Sequence, residues 1–184
     1  MTGNFLIAYA LLAYVAGERL IELAYARRNT RRLRAAGAIE VGARHYPAFI
    51  LLHAAWLASL ALSVDGQIPV DPWLVALFGL LQLARLWIIR TLGRFWTTRI
   101  ITLPGAPLVR AGPYRFLRHP NYVLVVAEIA VLPLAFGLVA QALIFSALNG
   151  LLIAYRVRIE AAALAPRRAI ERGTPRCAAQ PSRS

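Results

Sequence analysis

Cysteine is almost absent from this sequence, and lysine is absent altogether. The one cysteine, Cys177, lies in a polar C-terminal segment. A single thiol cannot form an intrachain disulfide or a cysteine metal cluster, so neither can stabilise this fold. The chain also contains no P-loop, GxGxxG, GxSxG or HExxH motif. The sequence therefore gives no indication of a nucleotide-binding loop, a serine hydrolase or a zinc protease.

Acidic residues are scarce compared with basic ones. The chain has 8 acidic residues, 21 arginines and a net charge of +13. The arginines fall in three blocks at the ends of apolar stretches, at 27–44, 90–118 and 156–183. This distribution is typical of positive-inside topology signals, whereas the interleaved aromatic residues of a nucleic-acid-binding face are missing. We therefore expect contact with membrane lipids and no nucleic-acid partner.

Apolar residues, in contrast, are abundant. They make up 59% of the 184 residues, and the mean hydropathy is +0.58. Soluble domains usually contain about 45–50% apolar residues, so the bilayer is the expected solvent. A spanning helix takes about 20 residues plus a connection, which limits this chain to about four to six spans. The composition predicts one compact membrane domain.

The order of apolar segments and turn residues predicts an all-α integral membrane protein with about five spans. The apolar stretch 122–155 is too long for one helix and is expected to form a C-terminal hairpin that turns near LPLAFG. Residues 1–164 are predicted to form the domain, and 165–184 a basic, disordered tail. The arginine blocks place the N-terminus outside and the tail in the cytoplasm. The first three helices are expected at 4–26, 47–64 and 72–89.

Several charged residues fall inside the predicted spans. Glu18 and Glu22 share a helix face with Arg19 nearby, and we interpret them as an ion-paired packing contact rather than part of a site. Glu128 lies within the fourth helix, where it either lines a substrate tunnel or pairs with Arg85 or Arg19. The histidines at 45, 53 and 119 show no metal-ligand spacing, so we expect no metal site.

Residues 91–121 form a loop that is rich in glycine, proline and arginine and ends in GPYRFLRHPNY. Glycine and proline hold the backbone in defined non-helical shapes, which a simple tether would not need. Planar cations, a histidine and aromatic rings in one segment suit an anionic or heteroaromatic ligand. A second cluster, Arg156 and Glu160, shares a face at the cytoplasmic end of the last helix. The loop is therefore the expected site.

GPYRFLRHPNY, followed by an apolar hairpin and RVRIEAAAL, resembles the isoprenylcysteine carboxyl methyltransferase superfamily of membrane-embedded enzymes. The first motif matches the family loop in order. The second departs from the family pattern, because Ala161 stands where a second glutamate is usual. ERLIEL, LHAAW and TTRIITLPGAPLVRAGPYR also look like the branch that O-methylates alkylpyrones and alkylresorcinols made by type III polyketide synthases. The likeness spans residues 18–166.

The resemblance implies that S-adenosylmethionine is held between the loop and the last helix, without a metal. By position in the motifs, the implied cofactor-binding residues are Arg118, His119, Pro120, Tyr122 and Glu160, with Glu160 on the amino group. The implied catalytic residues are His119, Arg115 and Arg156, and substrate contacts are assigned to Glu128, Trp96 and Arg99.

The expected activity is O-methylation of an alkylpyrone or phenolic lipid at a bacterial inner membrane, functionally linked to a type III polyketide synthase. An enolic pyrone or a carboxylate is already anionic near neutral pH, whereas a phenol needs a general base such as His119. Two alternatives stay open. One is carboxyl methylation of a prenylcysteine-like substrate, and the other is a non-enzymatic membrane scaffold or lipid-binding subunit.

Overall fold

The computed structural model describes residues 2–43, 46–65, 68–106 and 108–173. In the first and last of these ranges, side chains are described only for residues 4–43 and 108–162. His45 and Cys177, which the sequence analysis considered, lie outside these residues. The described part contains five α-helices and a two-stranded antiparallel ribbon. They are α1 Thr2–Ala35, β1 Ile39–Val41, α2 Tyr46–Ser63, α3 Pro72–Leu92, β2 Ile100–Thr102, α4 Pro120–Ala135 and α5 Val139–Gly173.

The helical architecture of an integral membrane protein is confirmed. In the described chain, α2, α3 and the first 24 residues of α5 are long and apolar enough to cross a bilayer. The apolar helix α4 is shorter, at 16 residues, and forms a hairpin with α5 as predicted. Helix α1 is 34 residues long and has three charged residues, Glu18, Arg19 and Glu22, near its middle.

Two helices are longer than the sequence analysis predicted. Helix α1 continues beyond residue 26 to Ala35, because its arginine-rich second half contains no glycine or proline until Gly37. Gly37 has a φ of 87°, and the Ala38 amide donates to the Leu33 carbonyl in a closing C-terminal turn. Helix α5 continues through the predicted tail as far as Gly173, and residues 174–184 lie outside the described chain.

The α2–α3 connection and the α4–α5 turn lie at the same end of the bundle. The Asp71 amide donates to the Ala135 carbonyl at 2.9 Å, and the Asp71 carboxylate caps α3 by accepting from the amides of Trp73 and Leu74. Trp73 is 81% exposed there, as expected of an aromatic residue at a membrane interface. The polar loop between α3 and α4 therefore lies at the opposite end.

Apolar packing holds the helices together in two clusters. The larger cluster joins α1, α2, α3 and α4 around Trp56, Phe78 and Leu132. A smaller one lies near the polar loop and joins Ala26 of α1 to Trp96. Asn29 of α1 is buried, and its amide group donates to the carbonyl oxygens of Gly93 and Trp96, each at 3.0 Å. The start of the loop is thus fixed against α1.

Glu128 forms ion pairs with both Arg85 and Arg19, the two partners that the sequence analysis predicted as alternatives. Its carboxylate is 1% exposed and accepts from Arg85 Nε at 2.8 Å, Arg19 Nη2 at 2.8 Å and Gln82 Nε2 at 3.1 Å. Arg85 also lies 3.2 Å from Glu22, and Arg19 lies 2.9 Å from it. These ion pairs connect α1, α3 and α4. The alternative in which Glu128 lines a tunnel is not what the structure shows.

Candidate functional site

A cavity of about 690 Å³ lies at the polar-loop end of the bundle, between the end of α1, the loop, the start of α4 and α5. Its size falls within the usual range for small-molecule sites, about 300–1,000 Å³. Eight residues that the sequence analysis assigned to the site line this cavity. They are Trp96, Arg99, Arg115, Arg118, His119, Tyr122, Arg156 and Glu160.

Two assigned residues do not line this cavity in the described structure. Glu128 lies in the ion-paired cluster, where its carboxylate is fully engaged with Arg19 and Arg85. Pro120 is buried as the first residue of α4, where its ring faces a second, apolar groove. Its missing N–H costs nothing at a first helical turn, so its role here is to start the helix.

Gly112 sets the direction of the loop as it enters the GPYR turn, Gly112–Arg115. Its φ is 52°, and a Cβ placed there would lie 2.6 Å from Thr91 Oγ1. Glycine is required on both counts. The turn brings Tyr114 to the cavity wall, where burial, with a smaller contribution from the Glu160 carboxylate, raises the pKa of its hydroxyl. Tyr114 therefore stays protonated near neutral pH.

The Tyr122 hydroxyl connects α4 to α5. It donates a hydrogen bond to Glu160 Oε2 and accepts one from Arg156 Nε at 2.8 Å. Arg156 and Glu160 share a face of α5 as predicted, and the hydroxyl lies between them. A negative and a positive group are thus held at one cavity wall with their orientations fixed.

His119 lies directly before α4, and its ring stacks on Tyr122 with centroids 5.2 Å apart and planes at 14°. Its Nδ1 atom lies 3.8 Å from Glu160 Oε2. The ring is thereby held beside the carboxylate in the cavity. A histidine in this position can accept a proton from a group bound next to it.

The Arg156 guanidinium is buried and already has protein partners. Besides Tyr122, it donates from Nη2 to the Thr98 carbonyl at 2.9 Å, and it lies over the Phe49 ring at 5.2 Å. Thr98 in turn donates from Oγ1 to the Tyr46 hydroxyl at 3.1 Å. Arg156 thus fixes the loop segment before β2 against α2 and α5, which makes it a positioning residue.

Glu40 of β1 joins the ribbon to the cavity. Its carboxylate accepts from Arg99 Nη1 at 2.7 Å and also pairs with Arg34 at the end of α1. The Arg99 guanidinium lies 4.4 Å above the Tyr46 ring. Sequence reasoning missed Glu40, Thr98 and Tyr46, because no local spacing marks their partners and each meets its partner through the fold.

The charges of the cavity leave specific groups available to a ligand. Arg115 and Arg118 contact no carboxylate among the described residues, and both line the cavity. Glu160 lines the same cavity and makes no ion pair with an arginine in the described structure. Opposite charges held apart in this way suit a zwitterionic amino acid group, whose ammonium and carboxylate each need a partner.

Two buried polar atoms of cavity-lining residues make no hydrogen bond within the described chain: Trp96 Nε1 and Asn121 Oδ1. An indole N–H is a donor and an amide oxygen is an acceptor, and a heterocycle or a ribose offers partners for both kinds of atom. Buried polar groups are normally satisfied, which makes these atoms candidates for ligand contacts. The residues present therefore fit S-adenosylmethionine, with its amino acid, ribose and adenine groups.

Comparison with known proteins gives a match to one family profile and to two curated proteins. The profile of the isoprenylcysteine carboxyl methyltransferase (ICMT) family matches residues 74–166, from α3 into α5. The chain is 36% identical over 160 residues to "Uncharacterized protein YpbQ" of Bacillus subtilis (strain 168), covering 85% of this chain and 95% of that protein. It is 26% identical over 162 residues to an "Uncharacterized protein" of Haemophilus influenzae, covering 83% and 91%.

No solved structure matches this chain. The family profile covers the loop, the α4–α5 hairpin and the Arg156–Glu160 segment, which together form most of the cavity. Members of this family are membrane methyltransferases that use S-adenosylmethionine as methyl donor. The chain, with its helical membrane fold and its matching loop and hairpin, belongs to the isoprenylcysteine carboxyl methyltransferase family.

Proposed function

We propose that this protein transfers a methyl group from S-adenosylmethionine to an oxygen atom of a lipid-like acceptor. The observation that carries the proposal is a cavity, at one end of a bundle of apolar helices, that is lined by Glu160 and by Arg115 and Arg118. This charge arrangement suits the amino acid group of the methyl donor, and the apolar helices suit an acceptor dissolved in the bilayer.

The chain's own residues have distinct tasks in this proposal. Glu160, oriented by the Tyr122 hydroxyl, would hold the donor's ammonium group, and Arg115 and Arg118 would bind its carboxylate. Bound S-adenosylmethionine supplies a methyl group already activated on a sulfonium. The protein therefore needs no nucleophile of its own, and its main contribution is to hold the acceptor oxygen in line with that methyl group.

The acceptor decides whether His119 acts as a base. A phenol must lose its proton before its oxygen attacks, and His119 is the side chain placed to accept it. An enolate or a carboxylate needs no such help. An alkylpyrone or phenolic lipid made by a type III polyketide synthase is the acceptor favoured by the amino-terminal motifs, and a prenylcysteine-like carboxylate is the second candidate.

We also propose an orientation in the membrane. The described parts of the arginine blocks at 27–44, 90–118 and 156–183 lie at the cavity end of the bundle or continue from it. By the positive-inside rule this end faces the cytoplasm of a bacterial inner membrane, with the N-terminus outside. S-adenosylmethionine is a cytoplasmic metabolite, so in this orientation it would enter the cavity from the cytoplasm.

The proposal is tested by incubating purified protein in lipid nanodiscs with methyl-labelled S-adenosylmethionine and three acceptors. These are a long-chain alkylpyrone, a long-chain alkylresorcinol and a prenylcysteine analogue. We expect label in at least one product. His119→Ala should lower phenol methylation about 100-fold more than it lowers carboxylate methylation, because only the phenol needs a base. No transfer to any acceptor, together with no donor binding, would instead support the non-enzymatic scaffold.

A further inference from the structure

The exposed face of α1 changes from apolar side chains to arginines within one helical turn. The second half of this helix packs against the bundle through its buried residues, which are Ala26, Asn29, Thr30 and Leu33. With about 3.6 residues per turn, the opposite side of the helix carries four exposed arginines, called the arginine face here: Arg27, Arg28, Arg31 and Arg32. About two turns earlier on the same side, each arginine is preceded by an exposed apolar residue, and these are Leu20, Ile21, Ala24 and Tyr25.

This change coincides with the expected boundary between the hydrocarbon layer and the lipid headgroups. Exposed Trp73 marks the membrane interface at the other end of the bundle. From Trp73 to Gly93, α3 rises about 30 Å, which is about the thickness of the hydrocarbon layer. Asn29 donates to the Gly93 carbonyl at 3.0 Å, so this part of α1 lies at the level where α3 ends. The arginine face, which flanks Asn29 in sequence, therefore lies at headgroup level.

The arginine face has no carboxylate partner in the part of the chain that the structure describes. Residues 23–35 contain no acidic side chain. Glu40, the next acidic residue along the chain, already pairs with Arg34 and Arg99. Guanidinium groups bind phosphate groups through paired hydrogen bonds as well as through charge. Four such groups on one exposed face are thus available to phosphate groups from outside the protein.

We propose that the arginine face binds the phosphate groups of anionic phospholipids in the leaflet at the cavity end of the bundle. The acyl chains of the same lipids contact the apolar residues two turns earlier on α1. A phospholipid accounts for both halves of the exposed face, whereas a soluble anion or an acidic protein accounts only for the arginines. Because Asn29 also binds the start of the polar loop, bound lipid would fix the depth of the cavity end in the membrane.

Photolabelling in phosphatidylcholine nanodiscs tests the inference without any assay of methyl transfer. The two probes are a phosphatidylglycerol and a phosphatidylcholine, each with the same photoreactive group on its acyl chain, and mass spectrometry locates the label. One variant replaces all four residues of the arginine face with glutamine, and a second replaces them with lysine, which keeps the charge. Label at Leu62, which is 88% exposed at the opposite end of α2, is the internal reference.

We expect phosphatidylglycerol to label residues 20–25 at least about tenfold more than phosphatidylcholine does, relative to Leu62, because each arginine near an anionic headgroup strengthens binding severalfold. The glutamine variant should lose this preference, and the lysine variant should keep most of it. Equal labelling by the two lipids, or a preference that survives replacement by glutamine, would overturn the inference. Loss of the preference when inorganic phosphate is added would identify a site for a soluble anion and would overturn it as well.

Discussion

The Tyr122 hydroxyl donates a hydrogen bond to the Glu160 carboxylate and so joins the start of α4 to the cavity wall of α5. Removing that hydroxyl with Tyr122→Phe leaves Glu160 without its main orienting contact. A hydrogen bond to a charged group contributes about 1.5–3 kcal/mol, so we expect the Kd for S-adenosylmethionine to rise at least about tenfold. Isothermal titration calorimetry measures this Kd. The control is Tyr25→Phe, which removes the hydroxyl of an exposed tyrosine on α1. An unchanged Kd would show that Glu160 is held by other means.

Arg118 is expected to bind the donor's carboxylate from an exposed position. Because exposed ion pairs are worth at most about 1 kcal/mol, Arg118→Ala should raise the Kd for S-adenosylmethionine about fivefold at low ionic strength. The effect should shrink in high salt, where such charges are screened. Arg31→Ala, which removes an exposed arginine of α1 outside the cavity lining, is the control. A loss that does not depend on salt would argue against this electrostatic role.

Gly112→Ala tests whether the backbone at the start of the GPYR turn shapes the cavity. The left-handed φ of 52° costs an alanine about 1–2 kcal/mol, and its Cβ would press on Thr91 Oγ1. We expect a lower Tm and weaker donor binding. Gly79→Ala is the matched control, because nothing lies within 4 Å of a Cβ there and alanine favours the helix. Comparable losses in both variants would contradict this account.

Glu128 is expected to stabilise the bundle without contacting the ligand. Glu128→Gln leaves the buried Arg85 and the partly buried Arg19 with one carboxylate partner fewer, and breaking a buried pair typically costs about 3–5 kcal/mol. The Tm in detergent should fall, while folded protein keeps its affinity for S-adenosylmethionine. Loss of that affinity at an unchanged Tm would instead place Glu128 in the binding site.

The helical membrane fold and the position of the loop at one end of the bundle could both be predicted from the sequence. The Gly112–Tyr122 motif and the Arg156–Glu160 pair are each compact in sequence, so their residues could be assigned from local spacing and resemblance. Both segments contribute side chains to one cavity in the folded protein. Glu128 had two possible roles, and the choice between them required knowing that Arg19 and Arg85 meet it from α1 and α3.

Contacts between distant segments could not be predicted. The Arg156–Thr98 hydrogen bond and the Arg99–Glu40 ion pair join residues 58 and 59 positions apart, and no local spacing pairs either arginine with its acceptor. The β1–β2 ribbon was missed for the same reason, since two strands of 3 residues show no readable alternation. The apolar groove that Pro120 faces likewise depends on how α3 and α4 pack, which neither helix encodes alone.

The central claim is that Glu160 holds the methyl donor, and donor binding by wild-type protein and Glu160→Gln tests it most directly. Glutamine keeps the shape and a hydrogen-bond acceptor for Tyr122 but removes the charge that pairs with the ammonium group. In nanodiscs, calorimetry should show S-adenosylmethionine binding to wild type at one site, and an affinity at least about tenfold lower for Glu160→Gln at an unchanged Tm. Equal affinities, or no binding by wild type, would contradict the account.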